Sequence, residues 1–97
     1  MKKNYVRHIY AYGTEFMEFK KTLDRAVLKK IYFVFELIMT AQNVPITFLK
    51  LLENGLYEIR VSHGSNAYRI FCCFDEGNLV VLFNAFQKKT QKRPKNR

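Results

Sequence analysis

Residues 57–62 read Tyr-Glu-Ile-Arg-Val-Ser. In an extended strand this puts Tyr57, Ile59 and Val61 on one face and Glu58, Arg60 and Ser62 on the other. Arg69 is opposite in parity to Tyr68 and Ile70, so a neighbouring strand can carry it onto the face of Arg60. Lys88 and Lys89 follow a third, apolar run. Cations gathered on a shallow sheet suit phosphate groups: Arg offers a two-pronged contact and Lys a mobile point charge. Glu58 could accept a proton beside them, and His63 is the nearby side chain that titrates close to neutrality. Tyr10, Tyr12 or Phe86 could stack on an unpaired base. The competing reading is that Arg60 and Arg69 merely pair with Glu58 and Asp75 on an exposed sheet. For His63 a solvated turn histidine is the preferred reading.

The sequence lacks a Ser-His-Asp order, a glycine-rich phosphate loop and a metal-spaced His/Cys cluster. Catalysis is therefore expected to need no metal and no other cofactor, and to work through acid–base groups and charge stabilisation. Cys72 and Cys73 are adjacent, so in a strand they point to opposite faces. One is expected to fill the core and the other to sit on the opposite face, both as free thiols in a reducing cytoplasm.

Composition narrows the partners. The chain has 97 residues, 48% of them apolar, with nine Phe and six Tyr, enough for one globular domain with its own core. Seventeen Lys and Arg oppose eight Asp and Glu, a net charge of +9 that favours polyanions. Residues 88–97 hold Lys88, Lys89, Lys92, Arg93, Lys95 and Arg97 and no acid. The other eleven basic residues share residues 1–87 with all eight acids, a net of +3 there. This basic tail either solubilises the chain or holds an anion. The N-terminal MKKNYVRH lacks the apolar stretch of a signal peptide, and apolar runs such as residues 31–35 are far too short to span a membrane. A cytoplasmic protein with no membrane partner is the expectation.

The elements that must position these residues follow from spacing. Residues 5–12, aromatic and β-branched up to Gly13, predict a first strand. Thr14 is placed to cap a short helix with Glu15 and Glu18 in its first turn and Phe16, Phe19 and Leu23 along it. Asp24 reads as a second N-cap. After it, Val27, Ile31, Val34 and Ile38 recur at helical spacing, with Arg25, Lys29, Lys30 and Glu36 on the wetter side. Tyr32, Phe33 and Met39 extend the apolar surface, which predicts a helix buried on more than one side; the alternative is a groove for a partner. Gln42, Asn43 and Pro45 end that helix. Strands are then predicted over 56–62, 67–74 and 79–86, joined by turns at 63–66 and 75–78. The fold class is α+β, ordered β-α-α-β-β-β, with two helices packed on one face of an antiparallel sheet.

Several runs resemble a known family. Gly55-Leu56-Tyr57-Glu58-Ile59-Arg60-Val61, then His63-Gly64, Tyr68-Arg69-Ile70, and Phe86-Gln87-Lys88-Lys89-Thr90-Gln91-Lys92 are similar to the phage-related HigB-like branch of the RelE/HigB toxin superfamily. The resemblance is close over residues 54–94. It implies a microbial ribonuclease-like fold and a type II toxin held inactive by a cognate antitoxin, expected to be a helix-turn-helix protein. It also implies a ribosome-dependent mRNA endoribonuclease, with mRNA and the ribosome as partners. Matched motif to motif, the sheet cation before the loop falls on Arg60, the arginine of the Tyr-Arg pair on Arg69, and the basic pair on Lys88 and Lys89. Relatives often carry a C-terminal Tyr that stacks on the base; here nothing after Lys88 is aromatic, so Phe86 or a first-strand Tyr would take that part. Two alternatives stay open: a ParE-like toxin that binds gyrase, and a non-catalytic RNA- or partner-binding relic of the same fold.

Overall fold

Alternation and capping shape a chain whose order, in the computed structural model, is β1 (Ile9–Ala11), α1 (Glu15–Lys20), α2 (Arg25–Thr40), β2 (Leu49–Glu53), β3 (Leu56–His63), β4 (Asn66–Asp75) and β5 (Asn78–Lys89). The structure describes residues 4–89, with side chains from residue 4 to residue 78. Asp24 caps α2 as its spacing predicts: the Val27 N–H donates to the Asp24 carboxylate at 3.1 Å. Thr14 occupies the cap position of α1, but its side chain makes no capping bond. The helix-period stripe Val27, Ile31, Val34 and Ile38 is buried, and Phe35 joins it. These residues meet Leu49, Ile59, Val61, Tyr68, Ile70 and Cys72 of the sheet, and Phe16 of α1 completes the cluster. Each fully buried aliphatic side chain here stabilises the fold by about 1.5–3 kcal/mol over its exposed state.

The strands form one sheet in the order β1-β5-β4-β3-β2. Strands β2 to β5 make an antiparallel meander, and β1 joins it in parallel beside β5. Gly64-Ser65 and Glu76-Gly77 are two-residue hairpin turns; Glu76 and Gly77 both have positive φ, 53° and 84°, the backbone whose twist matches the flanking strands. Both helices lie on one side, the α+β arrangement expected.

Four details depart from the sequence reading. The first strand has three residues rather than eight, because the Val6 and Arg7 N–H groups donate to the Met39 carbonyl at the end of α2 instead of to a strand. An additional edge strand, β2, precedes β3. Helix α2 is buried on one side only: Tyr32 and Phe33 remain 46% and 60% exposed, so the expected burial on more than one side is not found. Finally, β5 runs on through Lys88 and Lys89, which lie inside the strand rather than after it. The basic tail from Thr90 to Arg97, with Lys92, Arg93 and Lys95, lies outside the described residues. Among the described residues no helix is long and apolar enough to cross a membrane.

One long-range contact fixes the N-terminal segment. The Arg7 guanidinium donates to the carbonyls of Ile38, of Ala41 at 2.9 Å and of Gln42 at 3.2 Å. The last turn of α2 has no basic residue of its own. Arg7 therefore supplies both the hydrogen bonds and the positive charge that the helix C-terminus lacks. Arg7→Ala should lower unfolding stability by about 2 kcal/mol, read as a shift in the urea midpoint without a change in slope, and Arg7→Lys should recover only part of it.

Cys72 and Cys73 divide as expected. Cys72 is fully buried and Cys73 partly exposed, and both are free thiols. Burial, and secondarily the neighbouring Cys73, push the Cys72 thiol up to about 12. Its folded form thus resists ionisation, so its contribution to stability is present below about pH 9 and is lost as pH rises toward 12. A thiol reagent at pH 8 should label one cysteine of the native protein, Cys73, and reach the second only in denaturant.

Candidate functional site

The helices cover one face of the sheet, so alternation sends the charged side chains to the other. On β3 these are Glu58, Arg60 and Ser62, between the buried Ile59 and Val61. On β4, Arg69 lies between the buried Tyr68 and Ile70. Register then decides their meeting: Arg60 is directly opposite Arg69. Two like charges opposite each other on one face repel. Glu58 resolves the conflict. Its Oε1 atom lies 3.5 Å from Arg60 Nε and 3.7 Å from Arg69 Nε, so one carboxylate serves both guanidiniums.

The triad is sheltered: the Glu58 and Arg69 side chains are 13% and 14% exposed, and Arg60 is 31% exposed. Solvent therefore screens these charges less than those of an ordinary surface pair. The distances are those of ion pairs rather than tight hydrogen bonds, which leaves most guanidinium N–H groups available to another anion. Glu58, rather than Asp75, is the acid that both arginines reach; Asp75 ends β4 opposite Asn78, beside the far turn.

The remaining sequence candidates separate. The β5 register sets Phe86 opposite Arg69, Lys88 opposite Ala67 and Lys89 opposite Asn66, so the basic pair runs alongside the arginine end of β4. His63 is not brought to the arginines. It is the last residue of β3, with the parity of Ile59 and Val61, which turns it toward the helix-covered face. Lys30 of α2 reaches the same end and donates to the Ser62 carbonyl at 2.9 Å. One cation was missed in the sequence: Lys50 of β2 stands opposite Glu58 in register. Only the recognition of β2 as a strand could have found it.

A second surface lies on the helical side. Ile9, Phe16, Tyr32, Phe35 and Met39 line a half-open groove of about 330 Å³ between the helices and β1. Lys20 lies beside it, donating to the Tyr32 hydroxyl at 2.8 Å with its ammonium 5.4 Å from the Tyr32 ring centre.

Residues 18–97 match a family model described as Phage derived protein Gp49-like. That family is a RelE-like family of toxins from toxin–antitoxin systems. No curated protein and no solved structure matches the chain. The match takes in Glu58, Arg60, Arg69, Lys88 and Lys89 and begins after β1.

Glu58→Gln keeps the side-chain shape and removes the charge that separates the two arginines. The variant should be less stable by roughly 1–2 kcal/mol. The loss should shrink with added salt as the arginine repulsion is screened, and should be partly recovered in Glu58→Gln/Arg69→Gln. Thermal midpoints of the three proteins at two salt concentrations measure this.

Proposed function

We infer that this chain, which belongs to the Phage derived protein Gp49-like family, is a toxin that cuts messenger RNA on the ribosome. Membership brings with it an antitoxin partner. The observation that carries the enzymatic reading is the cross-strand pair Arg60 and Arg69, sheltered, on the face the helices leave open, with a carboxylate between them. An RNA phosphate entering there exchanges places with the Glu58 carboxylate and takes both guanidiniums.

The chemistry follows from that exchange. The 2′-oxygen of the nucleotide attacks its own 3′-phosphorus while the bond from phosphorus to the 5′-oxygen of the next nucleotide breaks. Glu58, released beside the arginines, accepts the 2′-hydroxyl proton, and water protonates the departing 5′-oxygen. The products are a 2′,3′-cyclic phosphate and a 5′-hydroxyl end. The pentavalent phosphorus carries more negative charge than the ground state, so fixed guanidiniums stabilise it preferentially. Lys88, opposite Ala67 and so on the parity of Arg69, holds the strand beside the scissile phosphate, whereas Lys89, opposite Asn66, has the other parity and takes no part in this scheme. No metal or cofactor is required in this scheme.

The antitoxin, of helix-turn-helix type in this reading, silences the toxin by covering the basic face or the apolar surface of α2. The exposed Tyr32 and Phe33 and the adjoining groove support the second location.

Induced expression should arrest growth and create new 5′ ends inside open reading frames, seen by 5′-end mapping of cellular RNA. Unchanged transcript ends together with accumulated gyrase–DNA adducts would move the protein to the gyrase-binding branch. In a single-turnover assay on programmed ribosomes, Arg69→Ala should lower the cleavage rate by ~100-fold or more, the scale of losing one fixed charge donor. If Arg69→Ala cleaves at the wild-type rate, the arginine pair is structural.

A further inference from the structure

The cleavage scheme uses Arg60, Arg69 and Glu58 and gives no part to the aromatic residues at β1. Tyr5, Tyr10 and Tyr12 are 45%, 54% and 67% exposed. The Tyr5 and His8 ring centres lie 5.7 Å apart, and those of His8 and Tyr10 6.3 Å apart, so Tyr5, His8 and Tyr10 form a file along the sheet edge. Hydrogen bonds at residues 6–8 and the pairing of β1 with β5 hold the segment. The His8 N–H donates to the Asn78 side chain at 3.1 Å, and Val6 and Arg7 are bonded to the end of α2. Residues 4–14 contain no acid.

Register places Tyr10 on the face of the arginines. Ile9 packs against the core and, with Ala11, lines the groove on the helical side, so Tyr10 between them points the other way. Along one cross-strand row Tyr10 is opposite Val80, Val80 opposite Cys73, and Cys73 opposite Leu56. Arg69 stands four residues back along β4 from Cys73. With ~3.3 Å per residue and ~4.8 Å per strand, Tyr10 and Arg69 are roughly 16 Å apart across the open face. That distance corresponds to a few nucleotides of single strand.

We propose that the His8–Tyr10 edge is a base-stacking subsite for single-stranded RNA, gripping bases a few nucleotides from the phosphate held by Arg60 and Arg69. Exposed, pre-positioned aromatic rings accept any base face, because stacking needs no hydrogen-bond pattern. The cations on the same face supply the charge complementarity that selects a polyanion over an apolar protein surface. The edge lies outside the family match at residues 18–97, so family membership does not bear on the subsite. The proposal rests on the RNA-cleaving reading only in that both need RNA on this face.

The test uses the full-length protein and a fluorescein-labelled 2′-O-methyl RNA 12-mer, which cannot be cleaved, with anisotropy as the readout. Tyr10→Ala should raise Kd roughly 5- to 50-fold, and Tyr10→Phe should stay within about twofold of wild type. The slope of log Kd against log salt should be unchanged in Tyr10→Ala, because stacking releases no counterions, and should fall by about one in Arg69→Ala. Tyr10 is exposed, so circular dichroism should show both of its variants folded. If Tyr10→Ala binds as tightly as wild type while Arg69→Ala is weakened, the subsite is wrong and the arginine site stands. If wild type binds no single-stranded RNA, or Tyr10→Ala loses only binding to an acidic protein partner, the proposal falls. Absence of new transcript ends in cells, with the Tyr10 effect on RNA binding intact, would remove the cleavage reading and leave the subsite.

Discussion

Helix α2 pressed onto β3 and β4 is the contact from which the rest of the molecule follows. Ile31, Val34 and Ile38 reach zero exposure against Ile59, Val61, Ile70 and Cys72, which do the same or nearly so. Once that face is sealed, period-two alternation leaves a charged side chain on these strands only the other face. The arginines therefore become neighbours as a by-product of core formation. A one-residue slip of β4 would put Arg69 in the core and Tyr68 in water, so the hydrophobic effect also fixes the register of the cations.

Such an arrangement has an electrostatic cost that one side chain offsets. Two guanidiniums opposite each other are tolerated because the Glu58 carboxylate reaches both. The same geometry makes the site responsive: a group with one negative charge occupies a place suited to a phosphate. Binding there is an exchange of anions rather than the filling of a void, and its affinity is the difference between two attractions.

Much of this was legible in the sequence because the signals were local. The Asp24 cap, the 27-31-34-38 stripe, the 57–62 alternation and the two hairpin turns each depend on neighbouring residues. The parity of Arg60 and Arg69 followed from the same alternation, and the division of Cys72 from Cys73 did too. Tertiary contacts decided what was missed. Leu49–Glu53 reads Leu-Lys-Leu-Leu-Glu, a composition that favours helix, and becomes strand β2 through pairing with β3. Residues 5–8 have strand composition but give their N–H groups to α2. His63 looked like a turn residue near the arginines, yet β3 continues through it and strand parity carries it to the other face. The roles of Lys88 and Lys89 rest on a motif, since their spacing alone does not separate a strand end from a tail.

The parallel pairing of β1 with β5 has a consequence for the order of assembly. The His8–Asn78 bond that flanks this pairing joins residues 70 apart in sequence, whereas the β3–β4 and β4–β5 hairpins close over two-residue turns. Chain entropy makes hairpins early events and such a distant junction a late one. Strand β1, which precedes the meander in sequence, is thus seated after it, once β5 is in place. As an edge element of three residues it is also the first to detach when the native state breathes. The arginine centre is thus joined by hairpin neighbours and the aromatic edge by contacts that span the chain.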